Sequence, residues 1–246
     1  MSEIIPAILE KNFSEIKNKL GTLCEQVKCV HLDIQDGIFE KELTWPFSSG
    51  GFDNIDFQKI INEEEGLPFW QEFDFEFDLM VMDAVENFDI YMKLGPKRMI
   101  FHLGAQKNLE DFEHFLEGLD MYIRDNIEIG LAFKPSDDLT VVSKLSHKVD
   151  FLHCMGSDKI GFQGEKFSDQ ALENIKFLKK NLPGIVVSVD IGINLQNAES
   201  ILDAGADRLT VGSSIWKSSD PISTLQSFQS LVYGLPYNNG TRTSNK

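Results

Sequence analysis

Apolar and polar positions along this chain follow two rhythms. Short runs dense in Val, Ile, Leu and Phe predict strands over 4–9, 29–35, 75–81, 98–103, 128–134, 150–155, 185–191 and 208–215. Between them apolar residues recur at helical spacing, as in FSEIKNKLGTLCEQV (13–27), VENFDIYMKL (85–94), LEDFEHFLEGLDMYI (109–123) and SDQALENIKFLKKNL (168–182). LQNAESILDAGAD (195–207) adds a helix that ends on glycine. Strict alternation of strand and helix implies parallel strands joined by right-handed crossovers, and eight such units in about 250 residues fit an α/β fold of the (β/α)8 TIM-barrel type. A doubly wound open sheet is the other arrangement the alternation allows. No compositional break divides the chain, so residues 1–235 are read as a single barrel domain and 236–246 as a polar, flexible tail. The acidic, aromatic stretch 61–73 lengthens the second unit, as an assembly contact or a lid-side elaboration.

Within the second strand, CVHLDIQ, His31 and Asp33 interrupt an otherwise apolar run two residues apart, which puts them on one face. Phe73, Phe75 and Phe77 alternate with Asp74, Glu76 and Asp78, so the rings face the helices and the acids face the barrel axis. Asp78 then lies near the C-terminal mouth of strand three, and Asp190 closes strand seven. Barrel enzymes place their chemistry at that mouth. Each residue alone has an ordinary use: a strand histidine satisfied in the core, an aspartate capping the next turn, a solvated loop carboxylate. Together, three carboxylates and an imidazole converging from three strands would repel one another or take up protons, and a divalent cation resolves the conflict. Glycines in IGFQGEKF, DIGINLQNA and VGSSIW follow strands six, seven and eight, where such barrels cradle phosphate on backbone N–H groups; glycine is also common in ordinary βα turns.

Charge narrows the ligand. With 23 basic and 39 acidic residues the net charge is −16, which disfavours nucleic acid and anionic membrane as partners and leaves a small anion held by backbone dipoles or a metal. Cys24, Cys29 and Cys154 lack zinc-type spacing, and neither a signal peptide nor a membrane-length apolar run is evident, so a soluble cytoplasmic protein is expected.

The order PAIL, HLDIQDGIF, DLMV, FHLGA, GFQGEKF, VDIGI, AGADRLTVGSSIW and SDP resembles the ribulose-phosphate 3-epimerases. That resemblance implies a metal-dependent isomerase of carbohydrate metabolism acting in the pentose phosphate pathway on a small phosphorylated sugar. One divalent ion (Mn2+, Mg2+, Fe2+ or Zn2+) would be held by His31, Asp33, Asp78 and Asp190. Asp33 and Asp190 would be the acid–base pair of a 1,1-proton transfer at C3. Phosphate would lie on Gly161, Phe162, Gly164, Gly192, Gly212 and Ser213, with Met80, Met155 and Gln35 walling the site. A homo-oligomer is compatible with this reading.

Departures from the family pattern cluster at the site. Asp78 stands for a histidine, Ala7 for a serine, Gln35 for a methionine, and Gln163 and Ile191 for glycines. One imidazole with three carboxylates is a hard donor set, which favours Mn2+ or Mg2+ over Zn2+. The departures keep two alternatives open: another phosphosugar reaction of isomerase or aldolase type, for which Lys134 is a Schiff-base candidate, and a non-catalytic phosphosugar binder.

Overall fold

The computed structural model describes residues 2–162 and 164–233; the position of Gln163 and the tail 236–246 lie outside them. Eight parallel strands close into a barrel in sequence order: β1 (Glu3–Ile8), β2 (Cys29–Gln35), β3 (Asp74–Met80), β4 (Pro96–His102), β5 (Glu128–Phe133), β6 (Phe151–Met155), β7 (Val186–Asp190) and β8 (Arg208–Val211). Pairing of β1 with β8, Ile5 opposite Thr210, completes the ring and excludes the open sheet. Every expected strand is present. β8 stops at Val211, short of the expected 215, because Ser213–Trp216 turns into a short helix.

Helix ends follow local polar chemistry. The stretch expected as one helix over 109–123 is two, Leu109–Gly118 and Met121–Asn126, because the Asp120 side chain accepts from the Ile123 N–H and caps a new start. Asn54, Asn108, Asp138 and Ser168 cap their helices in the same way.

Two apolar layers result from the strand alternation. Outward residues such as Phe75, Phe77, Phe101 and Leu131 pack under the helices, while a smaller group inside the barrel, including Ile100, Ala132, Phe151 and Met155, fills its β4–β6 side. Gly130 on β5 makes room for the Phe151 ring, which a Cβ at that position would strike. At the N-terminal floor Glu3, Arg98, Glu128 and Arg208 form a closed alternating ring of ion pairs, from Arg208–Glu128 at 2.6 Å to Arg208–Glu3 at 3.7 Å. The acidic stretch before β3 runs from the helix Ile55–Ile61 into Asp74, so it belongs to the floor end, opposite the mouth. No helix among the described residues is long and apolar enough to cross a membrane.

Candidate metal centre and phosphosugar cavity

The alternation of β2 and β3 carries the donors inward. β2 and β3 pair residue for residue, with His31 opposite Glu76 and Asp33 opposite Asp78, so four polar side chains form two adjacent rows inside the barrel. Asp190 arrives from the end of β7. His31, Asp33, Asp78 and Asp190 offer donor atoms that all lie within 4.8 Å of one another. Donors sharing one cation at roughly 2.1 Å stand about 3–4 Å apart, so the spacing suits a single ion.

His31 is held from behind. Its Nδ1 donates to Glu76 Oε1 at 2.7 Å, and its Nε2 faces Asp33 Oδ1 at 3.3 Å and Asp78 Oδ2 at 3.9 Å. With Nδ1 committed as a donor, a bare Nε2 lone pair would confront two carboxylates, so a proton or a cation must lie between them. Burial opposes charging of His31, but hydrogen bonds to Asp33 and Glu76 outweigh it and hold the imidazole well above its usual range. Glu76 stays below its usual range against burial because His31 and Arg98 face it, Arg98 Nη1 at 3.5 Å. A register shift between Phe75 and Glu76 is what brings Arg98 opposite Glu76.

Asp78 is held on one side only. His102 Nε2, at the end of β4, donates to Oδ1 at 2.6 Å, whereas the fully buried Oδ2 has no partner among the described residues. An orphaned carboxylate oxygen aimed at an imidazole nitrogen is a ligand atom awaiting a positive charge, and the donor set therefore fits a hard divalent cation. Burial raises the Asp78 carboxyl, and the charges and hydrogen bond of the histidines, His102 first, bring it below its usual range. Asp190 goes the other way: burial pushes its carboxyl up to about 7, with Asp33 and Asp78 adding to the rise against His31. Asp33 is raised too, by burial first.

Above these donors opens a cavity lined by Asp33 and Asp190, by Met80 and Met155, and by the glycine loops. All six residues expected at phosphate line it: Gly161, Phe162, Gly164, Gly192, Gly212 and Ser213. Gly192, at φ 76°, turns where a Cβ would fall 2.5 Å from the Phe167 amide nitrogen, a close approach that only glycine allows. Ile191 beside it also has positive φ, 70°, in a position where a β-branched residue is strained. Gln35 is fully buried against Met80, its Nε2 3.6 Å from the sulfur, so it stands behind the lining rather than in it. Lys134 sits beyond the end of β5, outside the cavity lining.

Four supporting residues were not anticipated: Glu76, His102, Arg98 and His153. The alternation FDFEFD already places Glu76 beside Asp78, and FHLGA ends a strand in histidine as VVSVD ends one in aspartate, so both signals were in the chain. Arg98 depends on the register shift, which no local pattern displays. His153 on β6 stacks on His31 at 5.7 Å, has no partner for either ring nitrogen among the described residues, and is pushed down to about 4 by burial.

A closed parallel barrel with a buried histidine–carboxylate centre under a glycine-lined cavity defines a (β/α)8 barrel with a candidate metal site at its mouth. Comparison with known proteins makes this specific. A model of the Ribulose-phosphate 3 epimerase family matches residues 3–216, and the chain belongs to that family of carbohydrate isomerases. Relatives named ribulose-phosphate 3-epimerase include one from Schizosaccharomyces pombe, 22% identical over 94% of both chains, and one from Chlamydia muridarum, 27% identical over 76% of both. Among solved structures, 3-hexulose-6-phosphate synthase from Salmonella typhimurium shares the fold with a TM-score of 0.68 at 15% identity, covering 96% of this chain and 100% of its own. KGPDC from Streptococcus mutans gives 0.69 at 12% identity, covering 95% and 98%.

Proposed function

We propose that this chain interconverts D-ribulose 5-phosphate and D-xylulose 5-phosphate by a 1,1-proton transfer at C3 between Asp33 and Asp190. The observation that carries the reading is the convergence of these two carboxylates, from strands three places apart round the ring, upon one cavity of a member of this family. Inverting a carbon needs one group to take a proton from one face and another to give one to the opposite face. In the metal-free chain burial raises both carboxyls, Asp190 to about 7, so either one can carry the proton that the other lacks. The roles exchange with the direction of reaction. His31, Asp33, Asp78 and Asp190 would hold one divalent cation, Mn2+ or Mg2+ in preference to Zn2+. Such an ion, when bound, supplies positive charge against the negative charge that builds on the substrate's carbonyl and hydroxyl oxygens as the C3 proton leaves.

Around them Met80 and Met155 keep water from the exchanging proton, and the N–H groups of the glycine loops orient the phosphate. Backbone donors suffice to hold a dianion on a chain of net charge −16. The test is incubation of the Mn2+-supplied protein with D-ribulose 5-phosphate in D2O. Deuterium should enter C3 as xylulose 5-phosphate forms, and Asp190→Asn should lower the rate by about 10²–10⁴-fold with circular dichroism unchanged. An Asp190→Asn variant with full turnover, or a wild-type protein that exchanges nothing, overturns the reading.

A further inference from the structure

Most polar groups around the cavity have work assigned to them: Asp33 and Asp190 to the proton, Ser213 and the glycines to phosphate. Thr210 does not. It is the inward residue of β8 between the outward Leu209 and Val211, is 1% exposed, and lines the cavity. Its Oγ1 has no hydrogen-bond partner among the described residues. Leaving a buried hydroxyl unpaired is costly, and valine, its near-isostere, would avoid that cost. A threonine at this place therefore calls for a partner that arrives with the ligand.

Register says where that partner lies. Val189 of β7 pairs with Leu209, so the next residues along, Asp190 and Thr210, are neighbours on adjacent strands. Two residues beyond Thr210 the chain reaches Gly212 and Ser213 of the proposed phosphate loop. On β1 Thr210 pairs with Ile5, which makes Ala7 its diagonal neighbour on the same cavity wall and leaves room beside the hydroxyl.

We infer that Thr210 is a specificity-determining residue that hydrogen-bonds the sugar hydroxyl lying between the epimerised carbon and the phosphate-bearing carbon. This rests on the proposed function and names what that site reads: the ligand is a ketose phosphate carrying a C4 hydroxyl. The partner is the ligand rather than Asp190, since no hydrogen bond joins Thr210 to Asp190 although the two are neighbours on adjacent strands.

The experiment is calorimetric binding to the Mn2+-supplied protein of D-ribulose 5-phosphate and its 4-deoxy analogue, with ligand-free melting temperatures alongside. Thr210→Val should weaken D-ribulose 5-phosphate by about three- to ten-fold, the measure of one neutral hydrogen bond, and leave the analogue unchanged. Thr210→Ser should restore the affinity, and the ligand-free Thr210→Val protein should melt no lower than wild type. Unchanged affinity in Thr210→Val overturns the inference alone, as does equal weakening of both ligands, the mark of a packing defect. Failure of the wild-type protein to bind D-ribulose 5-phosphate overturns it together with the proposed function.

Discussion

Asp78 has one oxygen held by His102 and one left free, and that asymmetry turns a carboxylate into a directed ligand atom. Replacing it with histidine would exchange a hard anionic donor for a softer neutral one. Asp78→His should therefore shift relative affinity from Mn2+ toward Zn2+ on the order of tenfold in competitive metal titration; unchanged selectivity would remove Asp78 from the ligand set. Ile191 sets two effects against each other. Its left-handed backbone costs roughly 1–2 kcal/mol, yet its side chain belongs to the inner apolar group, where truncation costs about 2–5 kcal/mol. Packing wins, so Ile191→Gly should lose on the order of 1–3 kcal/mol in urea melts. Where the glycine backbone opens room beside Gly192, inorganic phosphate should bind more tightly, not less.

At the scale of the element, β3 supplies both a candidate ligand, Asp78, and the group that holds another, His31, in place, Glu76. The alternation that sends Phe75 and Phe77 to the helices necessarily sends Glu76 and Asp78 inward, and the pairing with β2 sets Glu76 against His31. Glu76→Gln would keep the shape and a hydrogen bond but remove the charge that makes Nε2 of His31 a strong donor. Metal affinity should fall by about 10–100-fold while the strand content seen by circular dichroism is retained; an unchanged affinity would leave Glu76 a mere partner of Arg98. This strand also shows what could be read in the chain and what could not. Period-two runs bounded by turn residues disclose strands, and even spacing along them discloses which side chains share a face, so the four converging residues were legible. The break at Asp120, the end of β8 and the approach of Arg98 to Glu76 were not, because a cap competes with helix propensity locally and a register shift exists only between strands.

For the whole molecule, the question is how one chain keeps so much negative charge folded round an acidic centre. Folding raises the carboxyls of Asp190 and Asp33 and lowers those of Asp78 and Glu76. Between the ordinary aspartate range near 4 and the Asp190 value of about 7, the native state holds protons that the unfolded chain has released, so metal-free stability falls as pH rises through this window. His31 acts in the same sense at higher pH: its contribution is complete below the usual imidazole range and is lost as pH climbs through its raised native value. The lowered carboxyls work oppositely, but only below about pH 4, where they take up protons in the unfolded chain first. General self-repulsion at a net charge of −16 adds to the loss at high pH. His153, lowered to about 4, opposes this below the ordinary imidazole range near 6.5, where the unfolded chain takes up its proton first. In EDTA the melting temperature should therefore change little from pH 5 to about 6.5 and decline from there to pH 8. With Mn2+ present the trend should flatten or reverse, because a cation takes the place of the protons and binds more tightly as they leave. An EDTA melting curve that rises from about pH 6.5 to pH 8 would show that Asp190 and His31 do not hold protons in the folded chain, and a manganese effect independent of pH would separate metal binding from them altogether.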